Sequence, residues 1–130
     1  MSACVLDTDV IIGALDTGDA HHRRADALIG RLVASRSLLV MSVVNYAEAL
    51  VKPAADDAAL RRAIEAIADI GVDVVPAHAS IGADAARFRV HRVSLADGFA
   101  LATARHLEAR IATFDDRVRQ AARDAGVGIA

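Results

Sequence analysis

The sequence predicts a three-layer α/β/α sandwich built on a central parallel sheet, and three observations carry that expectation. Short apolar runs of strand length alternate with longer stretches of helical periodicity along the whole chain, the order that parallel βαβ units produce. The 130 residues, 55% of them hydrophobic, are enough for one full core. There are no internal repeats, linkers or low-complexity segments, and the only prolines are Pro53 and Pro76. A single domain over residues 1–130 is expected.

Each element follows from its pattern. "ACVL" (3–6) reads as a first buried strand, followed by a short helix around "VIIGALD" (10–16). In "HHRRADALIGRLVASR" (21–36), Ala25, Leu28, Ile29, Leu32 and Val33 recur at helical spacing, and "LLVM" (38–41) reads as a second buried strand. "SVVNYAEALVK" (42–52) is a helix ended by Pro53. "DDAALRRAIEAIADIG" (56–71) is an amphipathic helix closed by Gly71, and "VDVV" (72–75) is the third strand. Two further helices are expected in "HASIGADAARFRVH" (78–91) and "SLADGFALATARHLE" (94–108). "RIATF" (110–114) gives a fourth strand, "DDRVRQAARDAG" (115–126) the last helix, and "VGI" (127–129) a candidate fifth strand at an edge.

Composition removes several functional classes. Aromatic residues make up 3% of the chain and Trp is absent, which argues against an aromatic platform for stacking bases. A formal charge of −2 argues against non-specific coating of nucleic acid, which rests on many Lys and Arg contacts to phosphate, but leaves room for a local basic patch. The single Cys4 excludes an intramolecular disulfide and a cysteine-rich zinc site, and its place in a strand suits a small buried hydrophobe. No basic segment precedes the first apolar run, which Asp7 and Asp9 interrupt, so no signal peptide is read there. No apolar stretch is long enough to span a bilayer. The expectation is a soluble, cytoplasmic protein without a membrane partner.

The acids are the informative residues. In open α/β sheets, functional groups gather beyond the carboxyl ends of the strands, near the point where strand order reverses. Asp7 directly follows the first strand, and Asp115 and Asp116 follow the fourth, so these side chains face each other if the two strands are neighbours. Glu48 lies on the helix after the second strand, and Asp97 in the first turn of the helix that starts near Ser94. A ring of four carboxylates repels itself unless cations neutralise it, and an all-oxygen pocket suits Mg²⁺ or Mn²⁺. Each acid also has a local explanation. Asp7 can cap the helix after it, Ser94 and Asp97 form an S-x-x-D capping box, Asp115 or Asp116 can cap the last helix, and Glu48 can pair with Lys52. Their joint position at one sheet edge favours a shared site, as does the otherwise apolar face of Val44, Ala47 and Val51 around Glu48.

In order and spacing, "VLDTDVII", "SVVNYAEAL", "SLADGFALATA" and "IATFDD" resemble the four acidic motifs of the PIN-domain ribonucleases. The chain length is similar to that of the single-domain VapC-type toxins of bacterial type II toxin-antitoxin pairs. The resemblance implies a PIN-like parallel sheet flanked by helices and a Mg²⁺-dependent (or Mn²⁺-dependent) endoribonuclease. It makes Asp7, Glu48, Asp97 and Asp115 the metal-binding and catalytic quartet, with Asp116 as a possible helper and Thr113 as the threonine of a T-x-D ending. It also implies a small antitoxin that occludes the acidic groove, and a toxin homodimer or toxin-antitoxin hetero-oligomer. The chain departs from the family pattern at Asp9, where Asn or Ser is common, and at Val118, where an aromatic often follows T-x-D.

Such a pocket would use a metal-activated water and need no protein nucleophile. No Ser-His-Asp arrangement stands out, and the histidines at 21, 22, 78, 91 and 106 have no metal-ligand spacing and read mostly as surface residues. An acidic pocket repels phosphate, so RNA capture calls for cations. "HHRR" (21–24) reads equally as a solvated helix face, whereas Arg87, Arg89 and Arg92 of "RFRVHR" are the favoured backbone contacts. Two alternatives compete. A haloacid-dehalogenase-type phosphatase would use Asp7-Thr8-Asp9, Ser42 and Asp115-Asp116, but it requires a late lysine, and the only lysine is Lys52. A catalytically inactive PIN-like binding module would tolerate loss of the quartet, all of which is present.

Overall fold

Four short strands, Ala3–Leu6 (β1), Leu38–Ser42 (β2), Val72–Val75 (β3) and Arg110–Ala112 (β4), form one parallel sheet in the order β3-β2-β1-β4 in the computed structural model. The structure describes residues 2–130; Met1, the first residue of the expected 1–130 domain, lies outside the described residues. The expected sandwich is therefore present. Among the described residues seven α-helices connect and cover these strands: Thr8–Leu15 (α1), His22–Ala34 (α2), Val43–Leu50 (α3), Asp57–Ile70 (α4), Ala79–Arg87 (α5), Leu95–His106 (α6) and Asp116–Asp124 (α7).

Strand alternation sorts the core into two halves. Val5, Val40 and Ile111 point to one face of the sheet and pack with Ile81, Ala85 and Phe88, with Ala100, Leu101 and Ala104 of α6, and with Val118 of α7. Cys4, Leu6, Leu39, Met41 and Ala112 point to the other face and meet Val10 and Ile11 of α1, Leu28 and Leu32 of α2, Ala49 of α3 and Ile67 of α4. β1 and β2 are buried on both faces and read as continuous apolar runs, whereas the edge strand β3 exposes Asp73 and Val74. Cys4 is wholly buried, as its position suggested.

The boundaries differ from the expected ones in informative places. The fourth strand stops at Ala112, because Thr113 and Phe114 leave the ladder to form the turn into α7. The "VGI" segment is a single parallel bridge, Ile111 to Ile129, beside β4. The expected helix over 78–91 tightens into a 3₁₀ turn at Phe88–His91, and Arg92 follows it with φ 61°, which ends the helical path just before α6. The chain crosses α5 closely: a Cβ on Gly98 would stand 2.6 Å from the Ala85 carbonyl oxygen. The same pair of helices is tied by Arg105, which binds the buried carboxylate of Asp84. No helix among the described residues is long and apolar enough to cross a membrane.

Candidate active site

The strand order puts β1 between β2 and β4, so the connection reverses direction at the β1/β4 pair, where α/β sheets open a crevice. Asp7 is the first residue past β1, and its backbone N–H donates to the Ala112 carbonyl at 2.9 Å, carrying the β1–β4 pairing one step beyond the strands. Asp7 also caps α1: Oδ1 accepts the Thr8 N–H at 2.9 Å, and Oδ2 accepts the Thr113 hydroxyl at 2.8 Å. Only 2% of Asp7 is exposed. Burial, then the nearby charges of Asp9 and Asp97, push its carboxyl up to about 8 from 3.8, against the pull of those two hydrogen bonds.

Asp9 lies in the first turn of α1. Its Oδ2 accepts the Phe114 N–H at 2.9 Å, whereas Oδ1 is buried with no hydrogen-bond partner among the described residues. Burial raises its carboxyl as well, offset by the Phe114 N–H and by His21. Sequence reasoning treated Asp9 as a family departure; the structure makes it a strut between α1 and the β4–α7 turn.

The expected capping roles of the other acids are real and leave room for more. Ser94 and Asp97 form the complete capping box of α6, which uses Asp97 Oδ2. Asp115 caps α7 through Oδ1, which accepts the N–H groups of Arg117 and Val118. In each carboxylate one oxygen caps, and the other accepts no hydrogen bond among the described residues. Glu48 is exposed on α3 and forms no ion pair with Lys52.

These side chains meet. Asp7, Thr8, Asp9, Ile12, Glu48, Ser94, Asp97 and Asp115 line one cleft of about 250 Å³. Asp116 is the exposed first residue of α7 and is not among the lining residues. Arg87, Arg89 and Arg92 do not line it either. Arg87 sits 3.7 Å from Asp84, and Arg89 donates to the Val93 carbonyl at 2.7 Å. Thr113 stands behind the cleft, donating to Asp7 and accepting the Asp115 N–H at 3.2 Å.

A residue that sequence reading missed holds the cleft's supporting helices together. Asn45 of α3 is fully buried; its amide donates to Thr8 Oγ1 at 3.1 Å and to the Ala96 carbonyl at 3.0 Å, joining α1, α3 and α6. Its place three residues before Glu48 was the only available signal, since nothing local marks a buried amide.

The donor set fits a hard divalent cation. All candidate ligands are carboxylate oxygens, Asp7 is costly to ionise as it stands, and Asp9 keeps a buried oxygen without a donor. Among the described residues no three acids, histidines or cysteines close on one point as a finished ligand shell.

The chain places an acidic crevice at the switch point of a parallel sheet, and the PIN domain family model matches residues 4–124. The chain belongs to the PIN domain family. Its fold is similar to that of the Mycobacterium tuberculosis toxin VapC20, described as cleaving the sarcin-ricin loop (20% identity, TM-score 0.73, 92% of this chain and 95% of that one). It is also similar to VapBC2 from Rickettsia felis bound to a promoter DNA fragment (11% identity, TM-score 0.74, 98% and 97%). FitAcB from Neisseria gonorrhoeae shares it too (22% identity, TM-score 0.70, 97% and 95%). No match was found among curated protein sequences.

Proposed function

We propose that this protein is a Mg²⁺- or Mn²⁺-dependent endoribonuclease that hydrolyses RNA phosphodiester bonds and serves as the toxin of a toxin-antitoxin pair. The single observation that carries this is the convergence of Asp7, Glu48, Asp97 and Asp115 on one cleft beyond β1 and β4. When bound there, the cation would supply an activated water and neutralise charge on the phosphate. The residues do the rest. Asp7 lines the cleft from the end of β1, Asp97 from α6, Glu48 from α3 and Asp115 from the β4–α7 turn, and Thr113 fixes Asp7 and the turn relative to each other. Asp116 remains a candidate helper from the edge, and Arg87, Arg89 and Arg92 remain candidate backbone contacts just ahead of α6.

The phosphatase alternative is disfavoured by geometry. That chemistry needs a lysine beside the acids, and the only lysine, Lys52, does not line the acidic cleft. An antitoxin partner is supported by a second depression of about 800 Å³ between α1, α3 and α4, lined by Ile12, Leu15, Ala49, Val51, Pro53 and Ala63 among others. Val51 is 69% exposed there, an apolar surface that a partner segment would cover. Ile12 and Glu48 line both depressions, so a segment in this groove would reach the acids and occlude them. A toxin homodimer or a hetero-oligomer with the antitoxin belongs to the same reading.

The test is cleavage of a mixed RNA pool by purified, antitoxin-free protein with Mg²⁺, with EDTA, and with an Asp97→Asn variant, mapping fragment ends. Cutting that requires both metal and Asp97 is expected. Equal traces from wild type and variant would remove the ribonuclease reading and leave the binding module.

A further inference from the structure

We propose that a basic cleft between α2 and the β4–α7 turn is the groove that holds the sugar-phosphate backbone of single-stranded RNA beside the acidic cleft. This rests on the ribonuclease reading. The groove, of about 350 Å³, is lined by Arg23, Arg24 and Arg31 of α2 and Arg119 of α7, with Thr113 and Phe114 in its wall. No acidic side chain lines it, and none of the four arginines forms an ion pair with a described carboxylate. Arginines that line one groove repel one another, and an anion among them relieves that repulsion. Arg119 adds a second sign: its Nε–H is buried with no acceptor among the described residues, and an unmade hydrogen bond on a charged group is costly. Guanidinium groups suit phosphate because their planar fork donates two parallel hydrogen bonds.

Adjacency names the occupant. Thr113 lines this groove and also donates to Asp7 in the acidic cleft, so the two depressions lie on either side of one residue. A strand whose reacting phosphate lies over Asp7 carries neighbouring phosphates that the acids repel, and the arginines receive them. Arg24 is held in place with its guanidinium carbon 4.5 Å from the Phe114 ring centroid, and the Phe114 N–H is bound to Asp9. "HHRR" thus contributes a groove wall rather than only a solvated helix face. By contrast, Arg87 and Arg89 are occupied by Asp84 and the Val93 carbonyl.

The experiment measures binding of a short fluorescein-labelled single-stranded RNA by anisotropy, in EDTA so that nothing is cut, across a salt series. The Arg23→Gln/Arg31→Gln double variant changes two exposed side chains and is compared with Arg61→Gln on exposed α4. The double variant is expected to bind at least about tenfold more weakly, and its log–log salt slope to fall by about 1.4, ~0.7 per lost phosphate contact on a single strand. Arg61→Gln is expected to match the wild type. Unchanged affinity and slope in the double variant would overturn the proposal. So would a loss confined to a Glu-rich peptide probe with RNA binding intact, which would make the groove a protein-docking surface. Arginine-dependent RNA binding by a protein that cuts no RNA with Mg²⁺ would sink the ribonuclease reading and leave the groove standing.

Discussion

Thr113 donates its hydroxyl to Asp7 Oδ2 at 2.8 Å across a sequence separation of 106 residues, and its own Oγ1 accepts the Asp115 N–H at 3.2 Å. One side chain therefore sets the positions of the acid beyond β1 and the turn beyond β4. Thr113→Ala removes the donor and the acceptor together and is expected to lower RNA cleavage by about 10–100-fold, the usual cost of losing a group that orients a metal ligand. Thr113→Ser keeps the hydroxyl and should recover most of that loss. Cleavage rates measured over a Mg²⁺ titration check this, since the alanine variant should also need more metal.

Asp7 gives a pH dependence with a definite sign. Its carboxyl is pushed up to about 8 in the folded protein from 3.8, so between those values the native state holds a proton that the unfolded chain releases. The stability tied to that proton is fully present below about pH 4 and is lost as pH rises through 8. In metal-free buffer, Asp7→Asn should therefore melt higher than the wild type at pH 8.5, by about 3–6 °C, with the gap closing toward pH 5. Mg²⁺ should raise the wild-type Tm at pH 8.5 and leave that of the variant almost unmoved. Differential scanning fluorimetry in a pH series, with and without Mg²⁺, reads both effects.

Substitution separates the capping role of Asp97 from the catalytic role proposed for it. Asn at this position still presents an oxygen to the Ser94 N–H, so Asp97→Asn should melt close to the wild type yet lose at least about 100-fold in cleavage, the scale of removing one stabilising group from a reacting centre. Asp97→Ala loses the cap as well and should be less stable by about 0.5–1.5 kcal/mol. If both variants kept wild-type cleavage, Asp97 would be a cap and no more.

Asn45 is buried and bonded to two helices besides its own. Asn45→Ala removes both of these hydrogen bonds and opens a small void, with an expected loss of about 2–4 kcal/mol in urea unfolding. Because those partners sit beside Asp7 and Asp97, cleavage measured well below the melting temperature should fall too. A variant that is destabilised but fully active would limit Asn45 to packing.

The sequence by itself determined the elements and their order. Buried strands such as "ACVL" and "LLVM", the Pro53 and Gly71 stops, and the Ser94–Asp97 box are local patterns, written within a few residues by periodicity and backbone chemistry. It also marked acids directly after strands, which is where α/β sheets open. Tertiary structure decided which strands are neighbours. Only the β1–β4 pairing brings Asp7 to Thr113 and Asp115, and it ended the fourth strand at Ala112 so that Thr113 and Phe114 could turn back toward α1. It also decided the strut from Asp9 to the Phe114 N–H, 105 residues away, the buried amide of Asn45, and the grouping of Arg119 with the arginines of α2. The reason is physical. Helix and strand propensity act between near neighbours in the chain, whereas these contacts form only once both faces of the sheet are covered and distant segments share one desolvated edge.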